Sequence, residues 1–375
     1  MQQRLILKIL AGLTATVVIA VGALALMTRY NAPCEPAPPT AAGASGFTAN
    51  LQRCYGDVDI VTLETLPVPE LTPSEVLVRV HAASVNPLDK HFLHGTPYLL
   101  RLANGLNAPK SPRMGADFAG TVEAVGTDVT LFAPGDEVYG VANGAFAEYV
   151  VRNETGGMAL KPANLSFEQA AAMPVAAITA LQALRDKANV QPGQHVLING
   201  ASGGVGSYAV QLAKAMGATV TAVCSGRNAE LVRALGADHV IDYTQEDYTE
   251  GNTRYHAIVD MVGNRSISAM LDVTEPDGVL VAVGNMKMNN WWGPLARPLH
   301  ALVRSPFVSQ RLEPLMAMTT AEDLTVLAGY AERGELEPFI DRRFTLTEVP
   351  DAIRYLERGR TRGKIVVNVT SPTLF

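Results

Sequence analysis

The stretch His195-Val-Leu-Ile-Asn-Gly-Ala-Ser-Gly-Gly-Val-Gly206 runs an apolar segment straight into a glycine-rich turn, and an amphipathic segment, Ser207 to Met216, follows at once. Ala201, Gly203 and Gly206 stand at the three small positions of a strand-turn-helix. With Ser202, Gly204 and Val205 between them, the backbone amides of such a turn can meet a pyrophosphate at a helix N-terminus. An ordinary tight turn is the plain alternative, but four glycines in the seven residues 200–206 carry an entropic cost that close approach to a ligand would explain. When the dinucleotide is NAD, a carboxylate about 20 residues further on takes the ribose hydroxyls. Here that place reads Cys224-Ser225-Gly226-Arg227-Asn228, which offers a hydroxyl and a guanidinium and no carboxylate. Ser225 and Arg227 suit a 2′-phosphate, so the predicted cofactor is NADPH. A solvated residue at a helix start is the competing use of Arg227.

Two kinds of surroundings position these groups. Asp59–Leu66, Glu75–Ala83, Gly120–Val125, Glu137–Val141 and Ala147–Val151 read as short strands punctuated by Pro and Gly, which predicts a compact β-rich domain. From Pro174 the rhythm alternates, with strands at His195–Asn199, Thr219–Cys224, His239–Ile241, Ala257–Met261 and Gly278–Val283 and helices at Ser207–Met216 and Asn228–Leu235. That order predicts a doubly wound parallel sheet, so the fold class expected is α/β.

A chain of 375 residues that is 48% hydrophobic buries a large core and divides into two domains on length alone. Its net charge of -6 argues against nucleic acid as a partner and for a small molecule. Cys34, Cys54 and Cys224 show no CxxC spacing, so neither a disulfide nor a cysteine metal site is expected. His91 and His94 are spaced for one helix face, but no carboxylate completes a metal set, and none is expected.

Ile9 to Met27 is an uncharged apolar run of 19 residues, long enough to cross a bilayer as a helix, with Arg4 and Lys8 before it and Arg29 after. Residues 1–30 are therefore expected to anchor the chain in a lipid bilayer through residues 9–27. A cleaved signal is the alternative. Residues 31–47, rich in Pro and Ala, read as a tether. A need for NADPH favours a catalytic body on the cytoplasmic side.

Six further stretches follow one another along the chain: Ser84-Val-Asn-Pro-Leu-Asp89, Gly115-Ala-Asp-Phe-Ala-Gly-Thr-Val-Glu-Ala-Val-Gly126, Pro134-Gly-Asp-Glu-Val138, Gly144-Ala-Phe-Ala-Glu-Tyr149, Ile178-Thr-Ala-Leu-Gln-Ala-Leu184 and Arg362-Gly-Lys-Ile-Val366. In kind and order they resemble the zinc-independent quinone oxidoreductase branch of the medium-chain dehydrogenase/reductase superfamily. The resemblance implies a GroES-like catalytic domain over 48–174 and 319–375, with an NADP-binding Rossmann domain, 175–318, inserted between. By the same resemblance, Asn86 and Ala116 stand where zinc-dependent relatives carry a cysteine and a histidine, and Asp117, beside that position, is left without an assigned role. The resemblance further implies Asn86 and Asp89 beside the nicotinamide, Thr179 at its end, Tyr243 near the adenosine and Lys364 closing the cleft. Asn86 also suits a turn and Asp89 a helix cap. Tyr98, twelve residues past Asn86, is a candidate proton donor, with a loop aromatic as its plainer use.

The activity implied is hydride transfer from NADPH to a quinone or an α,β-unsaturated carbonyl. The alternatives are an enoyl-thioester reductase and a dinucleotide-binding redox sensor with little turnover. Trp291-Trp292 and the segment Pro294 to Leu312 depart from the family pattern. They fit a pocket wall, a homodimer contact or a membrane interface, and the sequence leaves these open.

Overall fold

The computed structural model describes residues 30–35, 46–284 and 308–369. Six strands form one parallel sheet in the order His239–Asp242, Thr219–Cys224, His195–Asn199, Tyr255–Asp260, Thr274–Ala282, Arg311–Pro314. Val196, Leu197, Ile198, Val220 and Ala222 are fully buried, as continuous apolar strands covered on both faces must be. The strand order reverses between His195–Asn199 and Tyr255–Asp260, and the crevice at such a switch point is where this architecture takes ligands. The 200–206 turn opens there.

A seven-stranded sheet carries the other half of the molecule. It runs Ile340–Thr345, Lys364–Asn368, Glu75–Val85, Asp117–Val125, Glu137–Val141, Met158–Leu160, and Tyr149–Asn153 pairs with Glu75–Val85 off this path. Its register decides what meets in the cleft. Ile365 lies opposite Val85 and Ser84 lies opposite Asp117, so Lys364, Asn86 and Asp117 converge at the ends of three neighbouring strands.

Most expected strands occur within a residue or two of their predicted bounds; those expected from Gly120 and Gly278 begin earlier, at Asp117 and Thr274, and two further differences lie near the N-terminus. Val58–Ile60 is a 3-10 turn, and the strand after it spans Thr62–Pro67. Gly46–Leu51 pairs antiparallel with that strand, where the sequence suggested the end of a tether. The cause is apolar alternation: Phe47, Ala49 and Leu51 are buried with Leu77 and Tyr149.

The expectation that no disulfide forms is corrected. Cys34 is bonded to Cys54, with 4.8 Å between their Cα atoms. Residues 30–35 do not hang free: the Ala32 N–H donates to the Asn107 carbonyl at 2.9 Å, and Arg101 Nη1 donates to the Tyr30 carbonyl at 3.3 Å. These docking bonds bring together two cysteines that sequence spacing does not associate.

The membrane segment expected over residues 9–27 lies outside the described residues, as do Trp291, Trp292 and the rest of 285–307. Among the described residues no helix is long and apolar enough to cross a membrane. Gly204–Ala215 and Ala321–Glu332, at 12 residues each, would extend only about 18 Å against a hydrocarbon core of about 30 Å.

Candidate active site

The 200–206 turn has the features its sequence requires. Gly203 precedes the helix Gly204–Ala215, whose first backbone amides have no partner within the helix and no side-chain cap at Gly203. A Cβ on Gly206 would stand 2.1 Å from the Gly200 carbonyl oxygen, so only glycine permits this helix to leave the strand so closely. A Cβ on Gly203 would meet only that same carbonyl oxygen, at 3.4 Å, which leaves the outer face of the turn open. Ala201 is buried beneath the turn, and Val205 packs on the core below it.

Around Ser202 the two halves of the molecule touch. Its carbonyl accepts from the Gly363 N–H at 2.9 Å and its hydroxyl from Asn228 Nδ2 at 3.0 Å. Ser225 Oγ takes a longer bond from the same amide nitrogen, at 3.3 Å. Asn228 Oδ1 and Thr361 Oγ1 are buried and have no hydrogen-bond partner among the described residues. Buried polar atoms without partners are costly, and here they flank a glycine-rich cradle. A dinucleotide fits this part of the crevice.

Arg227 is exposed, and its Nη2 lies 3.4 Å from the Arg360 carbonyl. The sequence shows no carboxylate at 224–228, but the neighbouring strand brings Asp242 against Gly226. Asp242 accepts from the Thr244 N–H and hydroxyl and from the Gly226 backbone, which together hold its carboxyl below the usual range. Tyr243 follows it, half exposed, with its N–H donating to the Cys224 carbonyl.

Across the crevice lies a buried polar cluster. Asn86 leads into the helix Pro87–His94, and its side chain turns toward the neighbouring strands, donating from Nδ2 to Asp117 Oδ2 at 2.9 Å and accepting at Oδ1 from Lys364 Nζ at 2.6 Å. Asp117 is fully buried. It also accepts from the Ser84 hydroxyl at 2.9 Å, the Val175 N–H at 3.0 Å and Lys364 Nζ at 3.3 Å. Lys364 extends past Gly204, whose added Cβ would meet its Cδ at 3.4 Å, so one side chain joins the cluster to the glycine-rich turn. Thr179 is buried beside this region and donates its hydroxyl to the Val175 carbonyl at 2.6 Å.

Asp89 accepts from the Asn86 backbone N–H at 2.7 Å, the capping use that its position allows, and it also lines a cavity of about 340 Å³. Burial pushes its carboxyl up to about 7, helped by the nearby charge of Asp117 and opposed by the Asn86 N–H and Lys364. Gly115, Ala116, Val141 and Ala142 share this inner end of the cavity. Tyr98 is not among the lining residues; its ring lies 5.0 Å from the Arg101 guanidinium.

Sequence reasoning left the role of Asp117 open and missed Asn228 and Thr361. The strand register that brings Ser84 and Lys364 to Asp117 is a long-range property. A buried Asn directly after the Ser225-Gly226-Arg227 turn was the one local signal.

The donors at this place do not suit zinc. Asn86 and Ala116 supply an amide and a methyl group, and the two carboxylates of the site share it with the Lys364 ammonium. Among the described residues no group of three His, Cys, Asp or Glu is placed to hold a metal ion.

Residues 72–162 match the alcohol dehydrogenase GroES-like domain, and residues 235–367 match the zinc-binding dehydrogenase domain. A mitochondrial NAD(P)H oxidoreductase of Mus musculus is 32% identical over 96% of this chain and 100% of its own length. A 2-methylene-furan-3-one reductase of Solanum lycopersicum is 35% identical over 84% of this chain and 77% of its own. The solved quinone oxidoreductase of Coxiella burnetii superposes with a TM-score of 0.77 at 33% identity, over 87% of this chain and all of that one. The placement expected from the sequence, a membrane-anchored body facing the cytoplasm, is corrected. No described helix can cross a membrane, and similar proteins bear mitochondrial and chloroplast names. By sequence and fold together, the chain belongs to the medium-chain dehydrogenase/reductase superfamily, in its quinone oxidoreductase branch, and is an oxidoreductase that works with a nicotinamide dinucleotide.

Proposed function

We propose that this oxidoreductase uses NADPH to reduce a quinone or an α,β-unsaturated carbonyl. The observation that carries the reading is the join at Lys364, whose side chain passes the glycine-rich turn at Gly204 and ends on Asn86 and Asp117. A dinucleotide cradle and a buried acid-base cluster thus face one crevice. The relatives named for a quinone and for a furanone support the acceptor class.

In this reading Ala201, Ser202, Gly203, Gly204, Val205 and Gly206 hold the pyrophosphate, and Ser225 and Arg227 take the 2′-phosphate. Tyr243 covers the adenosine, and Thr179 and Lys364 bound the nicotinamide end. When bound, the cofactor supplies a hydride to the electron-poor carbon of the acceptor. Asp89 then delivers a proton, because its carboxyl lines the cavity and burial keeps it protonated up to about pH 7. Asn86 holds Asp89 by its backbone N–H and is itself fixed by Lys364 and Asp117. Reduction of an enone then balances as one hydride and one proton added across the C=C bond. Positioning and hydrogen bonding carry the rate without a Lewis acid.

The test is consumption of NADPH by the full chain with a panel of quinones and enones, run beside NADH. Turnover with a clear preference for NADPH supports the proposal. Tight NADPH binding without consumption supports the redox-sensor reading, and preference for an enoyl thioester over every quinone and enone supports the thioester reductase.

A further inference from the structure

The cavity beside Asp89 has an unusual charge balance. Asp89 is its only carboxylate, whereas Arg101, Lys110 and Arg113 all line it. His91, also in the wall, is held below its ordinary value by burial first and by Lys90 second, which disfavours a further positive charge there. The inner end, at Asp89 and Ala116, is buried. The outer end, at Ala103, Lys110 and Asn143, is exposed, so Lys110 stands at the solvent side of the cavity, while Arg113 is half-buried and Arg101 buried.

Among the described residues none of the three cations has an anionic partner. All 36 Asp and Glu residues lie among the described residues, and none forms an ion pair with Arg101, Lys110 or Arg113. Arg101 is buried and satisfied by neutral groups alone. It donates to the carbonyls of Gly95, His94 and Tyr30 at 2.7, 3.2 and 3.3 Å and lies over the Tyr55 ring at 4.3 Å. A buried guanidinium without a counter-charge raises the positive potential of the space it faces, and low-dielectric walls focus that potential. Arg113 is half-buried beside the Phe47 ring at 5.9 Å, and Lys110 reaches solvent at the rim.

We propose that the acceptor of this enzyme carries an anionic group, a carboxylate or a phosphate, which is held at the outer end of the cavity by Lys110 and Arg113 under the field of Arg101. This rests on the reductase reading above and narrows its substrate class. An acceptor so held presents its unsaturated carbonyl toward Asp89 at the inner end.

The test compares matched acceptors with the full chain: 4-oxo-2-pentenoate against its methyl ester, and crotonyl-CoA against crotonyl N-acetylcysteamine. A charge-assisted contact predicts about tenfold higher kcat/KM for the anionic member of at least one pair at low salt. The first pair identifies a carboxylate and the second a phosphate as the anion. The preference should fade toward unity in 0.5 M salt, and in the double variant Lys110→Gln/Arg113→Gln. Calorimetry with 4-oxopentanoate, its methyl ester and coenzyme A reads the same preference without turnover. If acid and ester, and CoA and the short thioester, are used equally well, the charge proposal is overturned while the reductase reading stands. If no acceptor is reduced at all, the reductase reading falls, and the calorimetric comparison still decides whether the cavity selects anions.

Discussion

Replacing Lys364 by Met should unsettle the buried cluster in a way that only a second substitution repairs. Lys364 is 3% exposed and Asp117 is fully buried, with the ammonium 3.3 Å from the carboxylate and 2.6 Å from Asn86 Oδ1. Removing one partner of such a pair costs about 3–5 kcal/mol, because the remaining charge stays buried without its counter-charge. Asp117 would keep three donors, Ser84, Asn86 and the Val175 N–H, so the lower end, about 3 kcal/mol, is expected for Lys364→Met. Asp117→Asn alone leaves Lys364 buried without its carboxylate and should cost about as much. The double variant leaves no net charge, so its loss should fall short of the sum by roughly 2–3 kcal/mol. Urea unfolding followed by far-ultraviolet circular dichroism gives the four stabilities of the cycle, with an unchanged m-value confirming that the unfolding event is the same. Additive losses, or a Lys364→Met protein as stable as the parent, would refute the coupling that the distances imply.

Arg227→Ala should weaken NADPH by about 1.5–3 kcal/mol and leave NADH nearly unchanged; equal losses in titrations with the two cofactors would remove the 2′-phosphate contact. Asp89 keeps its proton to about pH 7 in the folded chain, against an ordinary value of 3.8, so the folded state binds more protons than the unfolded one between these values. Its contribution therefore favours folding below about pH 4 and is lost as pH rises through about 7, and Asp89→Asn should flatten that part of the stability profile. The same change should remove the decline in kcat above about pH 7, with a loss of about 10²-fold at neutral pH. Tyr98→Phe should keep most of its turnover, since Tyr98 packs on Arg101 away from the cavity lining; a loss as deep as that of Asp89→Asn would return the acid role to the tyrosine. Gly206→Val should abolish dinucleotide binding, because its Cβ alone would stand 2.1 Å from the Gly200 oxygen, and a variant with parental NADPH affinity would mean the turn is not the cradle.

Local pattern made much of this fold legible. The continuous apolar strand His195–Asn199 followed by four glycines fixes a strand, a turn and a helix from neighbouring residues alone, and the structure follows it closely. What local pattern does not contain is register. Lys364 and Asn86 are 278 positions apart, and their 2.6 Å contact exists because the C-terminal strand lies antiparallel beside Glu75–Val85. The same reason hid Asp117, whose importance comes from three elements meeting it, and Asp242, which reaches Gly226 from the neighbouring strand. The Cys34–Cys54 bond was equally invisible, because the docking of residues 30–35 on Arg101 and Asn107 brings the two sulfurs together.

The central claim is that one crevice passes a hydride from NADPH to a conjugated acceptor whose proton comes from Asp89. Reduction of an enone with NADPH deuterated at the transferable position, in ordinary water, tests it directly by mass spectrometry and NMR of the product. The account predicts one deuterium on the β-carbon, one ordinary proton on the α-carbon, and a rate that collapses in Asp89→Asn with the β-label retained. Product without deuterium, or no product from any quinone or enone while NADPH binds tightly, would contradict it.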